Sequence, residues 1–213
     1  MRRVLEYGGV AAGVILIAIG AFAIYKANDG KNTVASNLKQ QQIVGTPDMT
    51  PSGIAAEAKA AGLPSSIPLP TCTIANKQVT NGQQARCFAQ YMQIHAYEAT
   101  GGVPYSQMPR YASPDGKGTN DASKATKGAN GQPLDNPARD VWVTETALTS
   151  ALNMSYMAEQ ISLFGLGVGI ALLLSGVGFI ILALGGALSA GGWLFNRSAK
   201  KAEAAKPAAP AAG

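Results

Sequence analysis

The sequence predicts a mainly α-helical fold, with two transmembrane helices and a small helical, disulfide-bridged extracytoplasmic domain between them. Three observations predict it. Uncharged apolar runs of membrane length stand near both ends of the 213-residue chain. The middle is polar, carries helix-period apolar positions and holds both cysteines. Lys and Arg stand at the outer flanks of the two runs, as cytoplasmic flanks do, and Lys26 and Lys31 on the inner side of the first run weaken that vote without reversing it. The expected organisation is a cytoplasmic N-terminus (1–7), a first span (8–25), an extracytoplasmic domain (26–160), a second span (161–184) and a cytoplasmic interface with a disordered tail (185–213).

The first run, Gly8 to Tyr25, has no charged residue and follows Arg2 and Arg3. With Leu5 it approaches the ~20 residues that cross a ~30 Å hydrocarbon core. A cleaved signal peptide is the rival reading, since Ala21-Phe22-Ala23 has the small-x-small form of a cleavage site. The run is long for that purpose, and Glu6 lies within the charged start, so an uncleaved anchor is expected. Either reading places residue 30 outside the cytoplasm.

The second run, Ile161 to Phe195, is also free of charge. As a single helix it would reach ~52 Å, longer than a bilayer core. The span is therefore set at 161–184, with Gly185 and Gly186 loosening its end. Arg197, Lys200 and Lys201 follow it, whereas residues 141–160 contain no Lys or Arg. Both termini are then cytoplasmic. Arg2, Arg3, Trp193, Arg197, Lys200 and Lys201 are the expected interface anchors.

Between the spans, a short helix is expected over Val34–Gln42. Thr50 with Pro51 is the cap and first position of a helix that runs to Ala61 and stops at Gly62. Residues 64–71 form an extended linker. A helix over 81–100 begins at a capping box, Thr80 to Gln83, and ends at Gly101-Gly102. Residues 112–135 lack periodicity and are expected to be a mobile loop. Asn136-Pro137 opens a helix that continues without a breaker into the second span, its outer part packing on the 81–100 helix.

Cys72 and Cys87 lie in the segment expected to face an oxidising compartment, so a disulfide is expected. A loop of that size contributes roughly 3 kcal/mol in the chain-entropy account. The cysteines lack neighbouring ligands, and no metal site and no cofactor are expected. No catalytic residue is identified. The candidates are His95, the lone histidine, with Glu98 on an overlapping helix face and Glu145 approaching from the last helix. Asp115 to Asp121 lacks calcium-loop spacing, with Thr126 where the bidentate glutamate belongs. Gly165 to Gly169 lies in an apolar run and is no nucleotide loop.

Gly9 with Gly13, and Gly165 with Gly169, give each span a small-residue face for close helix approach. Neither span carries an ionisable group, which argues against an ion pathway. The net charge is +5, and the eleven Lys and Arg of residues 26–139 are spread singly with no basic stripe, which argues against nucleic acid. The expected partners are the lipid bilayer and a membrane protein or a second copy of the chain. The leading functional expectation is a non-enzymatic interaction or scaffold role in the cell envelope, as an accessory subunit of a larger membrane complex. A membrane-tethered enzyme or ligand sensor is the alternative.

Three stretches, Gly45 to Pro51, Ala85 to Gly102 and Val141 to Leu148, resemble uncharacterised two-span membrane proteins of high-GC Gram-positive, actinobacterial type. The resemblance covers most of residues 1–185. It implies a bacterial membrane and a domain facing the cell wall, and it implies no activity.

Overall fold

The computed structural model describes residues 2–185, with side chains from Val4 onward. The expected anchors Arg2, Arg3, Trp193, Arg197, Lys200 and Lys201, and the expected tail, lie outside the described side chains. Four α-helices follow in order: α1 (Arg2–Gln41), α2 (Pro51–Ala60), α3 (Gly82–Ala99) and α4 (Ala138–Leu184), with a 3-10 turn at Tyr105–Gln107. Isolated β-bridges occur, and no strand is formed among the described residues. The chain divides into two compact units, residues 1–29 with 161–213, and residues 30–160.

The first unit contains the apolar parts of α1 and α4, both long and apolar enough to cross a membrane. Their contact is built on glycine. A Cβ at Gly13 would lie 2.7 Å from the Gly176 carbonyl oxygen, and one at Gly20 would lie 2.7 Å from that of Gly169. Gly13, Gly20 and Ala27 on α1, and Gly169, Gly176 and Ala183 on α4, are buried at seven-residue spacing, and Gly9 is buried four residues before Gly13. A seven-residue repeat keeps a narrow seam in register along two helices, where a four-residue step alone drifts off the contact line. Gly13 and Gly169 belong to the seam, and Gly9 is buried. At Gly165 a Cβ would meet only the Ala27 Cβ, at an ordinary 3.8 Å. Gly20 and Gly176 complete the contact. Outward, Phe22, Phe164, Leu174 and Ile181 are exposed.

The second unit is ordered around α3. Ala85, Phe88, Tyr91 and Ile94 are buried with Met49, Ile54, Ile74, Val79, Leu38 and Leu152. Burying one such large side chain stabilises by about 1.5–3 kcal/mol, so this cluster is the main support of the unit. Val34 packs against the cluster beside Leu38, which explains why α1 runs on to Gln41. A separate helix at 34–42 was expected. Asn28, Asp29 and Gly30 are poor helix formers but contain no proline, and burial of Val34 and Leu38 outweighs their propensity.

The caps follow the sequence closely. Thr50 accepts from the Gly53 N–H at 3.0 Å. Both α2 and α3 end in Schellman motifs, with Gly62 and Gly101 left-handed. The capping box of α3 is shifted by one residue from expectation. Asn81 is the cap and accepts from the Gln84 N–H, while the Gln84 side chain accepts from the Thr80 N–H. Cys72 and Cys87 are bonded, with Cα atoms 6.0 Å apart, tying the linker to the second turn of α3. The Tyr91 hydroxyl adds a hydrogen bond to the Cys72 carbonyl at 2.6 Å.

Residues 112–135, expected as a mobile loop, form no helix or strand and carry local ties. Tyr111 bridges to both Thr119 and Asp135, Lys127 bridges to Pro133, and Ala125 is buried. Short polar side chains such as Ser113, Asp121 and Asn130 bond backbone N–H groups two to five residues on, a stabilisation that leaves no hydrophobic period to read. At the start of α4, Trp142 stacks edge-on to Tyr97 with ring centroids 4.8 Å apart. Its indole N–H donates to the Val103 carbonyl at 3.0 Å.

Candidate functional site

The site is assembled by three segments of the 30–160 unit. The first is the turn before α2. Its chain is pinned by hydrogen bonds from the Ile74 and Ala75 N–H groups to the Met49 carbonyl, each 3.2 Å, and by a bond from Asn76 to Gly45. This fixes Asp48. The second is α2, which buries Ile54 and Ala58 and so turns Glu57, between them on the helix, to a half-exposed position. The third is α3, which buries Tyr91, Ile94 and Ala96 and leaves His95 at the edge of the core.

His95 Nε2 lies 3.4 Å from Asp48 Oδ2 and 3.7 Å from Glu57 Oε2. One ligand atom from each of these three residues falls within 4.8 Å of the others. Both nitrogen–oxygen separations exceed the ~2.7–2.9 Å of a charge-assisted hydrogen bond. All three side chains are partly buried.

The electrostatics are acidic. A hydrogen bond from the Thr46 side chain holds the Asp48 carboxyl below its ordinary range, with a further contribution from His95. Burial pushes the Glu98 carboxyl up, and the Glu57 and Asp48 carboxylates push in the same direction, while His95 opposes them. Glu98 Oε1 is fully occluded and has no hydrogen-bond partner. Burial, with help from Asp48, also raises the Tyr91 phenol. Among the described residues, no Lys or Arg pairs with Asp48, Glu57 or Glu98.

On its other side His95 faces a cleft of about 440 Å³ between α3 and α4, lined also by Met92, Asp140, Thr144, Glu145 and Leu148. Glu145 is only 7% exposed and accepts a hydrogen bond from the Thr146 hydroxyl at 3.3 Å.

The three sequence candidates are therefore brought together in part. His95 and Glu145 share the cleft. Glu98, one turn along α3, is coupled to His95 but does not line it. Asp48 and Glu57 were not candidates. They precede His95 by roughly forty residues, in a turn and on an Ala-rich helix whose patterns signal only local structure. No protein-family model, curated protein or solved structure matches the chain.

Proposed function

We propose that this chain is a two-span integral membrane protein of the cell envelope that presents its 30–160 unit outside the cytoplasm as a non-enzymatic interaction module, an accessory subunit of a larger membrane complex. The observation that carries the membrane reading is the glycine seam with apolar outer faces. Phe22, Phe164, Leu174 and Ile181 stand exposed on helices whose shared contact is made by Gly13, Gly20, Gly169 and Gly176. In water, such continuous apolar exposure invites aggregation. In lipid it costs nothing, and close small-residue packing is how spans associate where no hydrophobic force joins them. The length of the first apolar run and Glu6 within its charged start favour an uncleaved anchor over a signal peptide. The Cys72–Cys87 bond favours an oxidising compartment for the domain between the spans.

The test has two arms. Lys117→Cys and Ala208→Cys are made separately, and intact bacterial cells are treated with a membrane-impermeant maleimide. Labelling at 117 alone is expected, and labelling at 208 alone would overturn the orientation. Release of the protein by alkaline carbonate would overturn the membrane reading itself. Gentle detergent extraction is expected to recover a stoichiometric membrane partner, and a lone monomer would overturn the subunit role.

The second reading, a membrane-tethered enzyme or ligand sensor, is favoured by one specific observation, the clustering of Asp48, Glu57 and His95.

A further inference from the structure

We infer that Asp48, Glu57 and His95 form a binding site for a divalent transition-metal ion of the zinc class, whose charge the two carboxylates balance. The site lies within the 30–160 unit, so the inference does not depend on where the membrane is.

Geometry comes first. A tetrahedral ion with bonds near 2.05 Å sets its ligand atoms ~3.3 Å apart. The two edges that start at His95 Nε2 measure 3.4 and 3.7 Å. They are long for hydrogen bonds and close to what a shared ion requires. The ligands also come from three different segments, each fixed by its own constraint: a turn bonded to residues 74–76, the outer face of α2, and the edge of α3. A site held this way loses little conformational entropy on binding.

The donor set then selects the ion. An imidazole nitrogen with carboxylate oxygens suits zinc and its first-row neighbours. Calcium and magnesium prefer all-oxygen shells, and copper(I) prefers sulfur. Among the described residues the thiols are consumed in the disulfide.

The electrostatics need a cation. Among the described residues, Asp48 and Glu57 share His95 as their one ion-pair partner. Glu98 Oε1 is occluded with no hydrogen-bond partner, an arrangement that costs free energy while nothing offsets it. The ion would also join α2 to α3, so binding should stabilise the fold.

The experiment uses the full chain in detergent micelles, without a polyhistidine tag, titrated with Zn²⁺ against a chromophoric chelator. One Zn²⁺ per chain is expected, retained in millimolar Mg²⁺, with a higher melting temperature than in chelator. His95→Ala and Glu57→Gln are each expected to weaken binding about tenfold or more. Helical content and the Cys72–Cys87 bond report whether each variant is folded. Should His95→Ala fail to fold, Glu57→Gln decides, because its side chain is 39% exposed and the substitution preserves shape. Failure to retain Zn²⁺, displacement by Mg²⁺, or variants that bind as tightly as the native chain would each overturn the inference.

Discussion

Gly82 shows how a single residue can set a helix contact. A Cβ there would fall 2.7 Å from the Tyr156 Cα and 2.9 Å from the Ser155 carbonyl oxygen, so α3 meets α4 backbone to backbone at this point. The Gly82 N–H also donates to the Glu159 carboxylate. Gly82→Ala is expected to destabilise the domain by about 1–3 kcal/mol, read as a lowered denaturation midpoint with an unchanged slope. Glu98 gives a pH prediction. Its folded pKa is raised, first by burial and then by Glu57 and Asp48. Its stabilising contribution is therefore complete below the unfolded glutamate value of about 4.3 and is lost as pH rises through the higher folded value. Asp48 runs the other way, since its folded pKa is lowered, and its contribution fades as pH falls through that value. In metal-free buffer, Glu98→Gln should flatten the decline in stability above about pH 4.3 and leave the acid limb in place. An unchanged decline on the alkaline side would assign that limb to other groups. Only part of this was legible beforehand. His95 was singled out by being alone, but nothing in the sequence joins Asp48 and Glu57 to it, because their proximity is created by the packing of α2 on α3.

At the scale of elements, the bond between Cys72 and Cys87 joins a linker that has no secondary structure of its own to α3. Reducing it, or replacing both cysteines with serine, should cost roughly 3 kcal/mol, about 10 °C in melting temperature for a domain of this size. Calorimetry with and without reductant would measure it. Trp142 anchors the start of α4 by stacking on Tyr97 and bonding Val103. Trp142→Phe keeps much of the packing but leaves the Val103 carbonyl without this donor. A loss of about 1–2 kcal/mol is expected from equilibrium unfolding. Helix starts and stops at this scale were well signalled. Thr50-Pro51, Gly62 and Gly101 act through local hydrogen bonds and backbone preferences, which are written in a few adjacent residues. The length of α1 was not, because it depends on Val34 and Leu38 finding a distant core. The ties within 112–135 were also missed, since side-chain to backbone bonds leave no periodic trace.

For the whole molecule, the prediction concerns the seam between the two apolar helices. Gly20→Leu would drive a side chain into the Gly169 carbonyl and the backbone of α4. It should separate the pair, seen as a lowered melting temperature in detergent together with loss of a crosslink engineered across the seam. Gly167→Leu is the control, because a Cβ there meets nothing within 4 Å, and it should leave both readouts unchanged. The sequence by itself determined the two apolar runs, the helical class, the cysteine pair and most helix ends. Each of these follows from composition or from interactions between residues a few positions apart. Only the tertiary structure decided that Gly20 and Gly176 join Gly13 and Gly169 at the contact, and which carboxylates surround His95. Those are relations between segments far apart in the chain, set by which faces are buried together, and no local pattern encodes them.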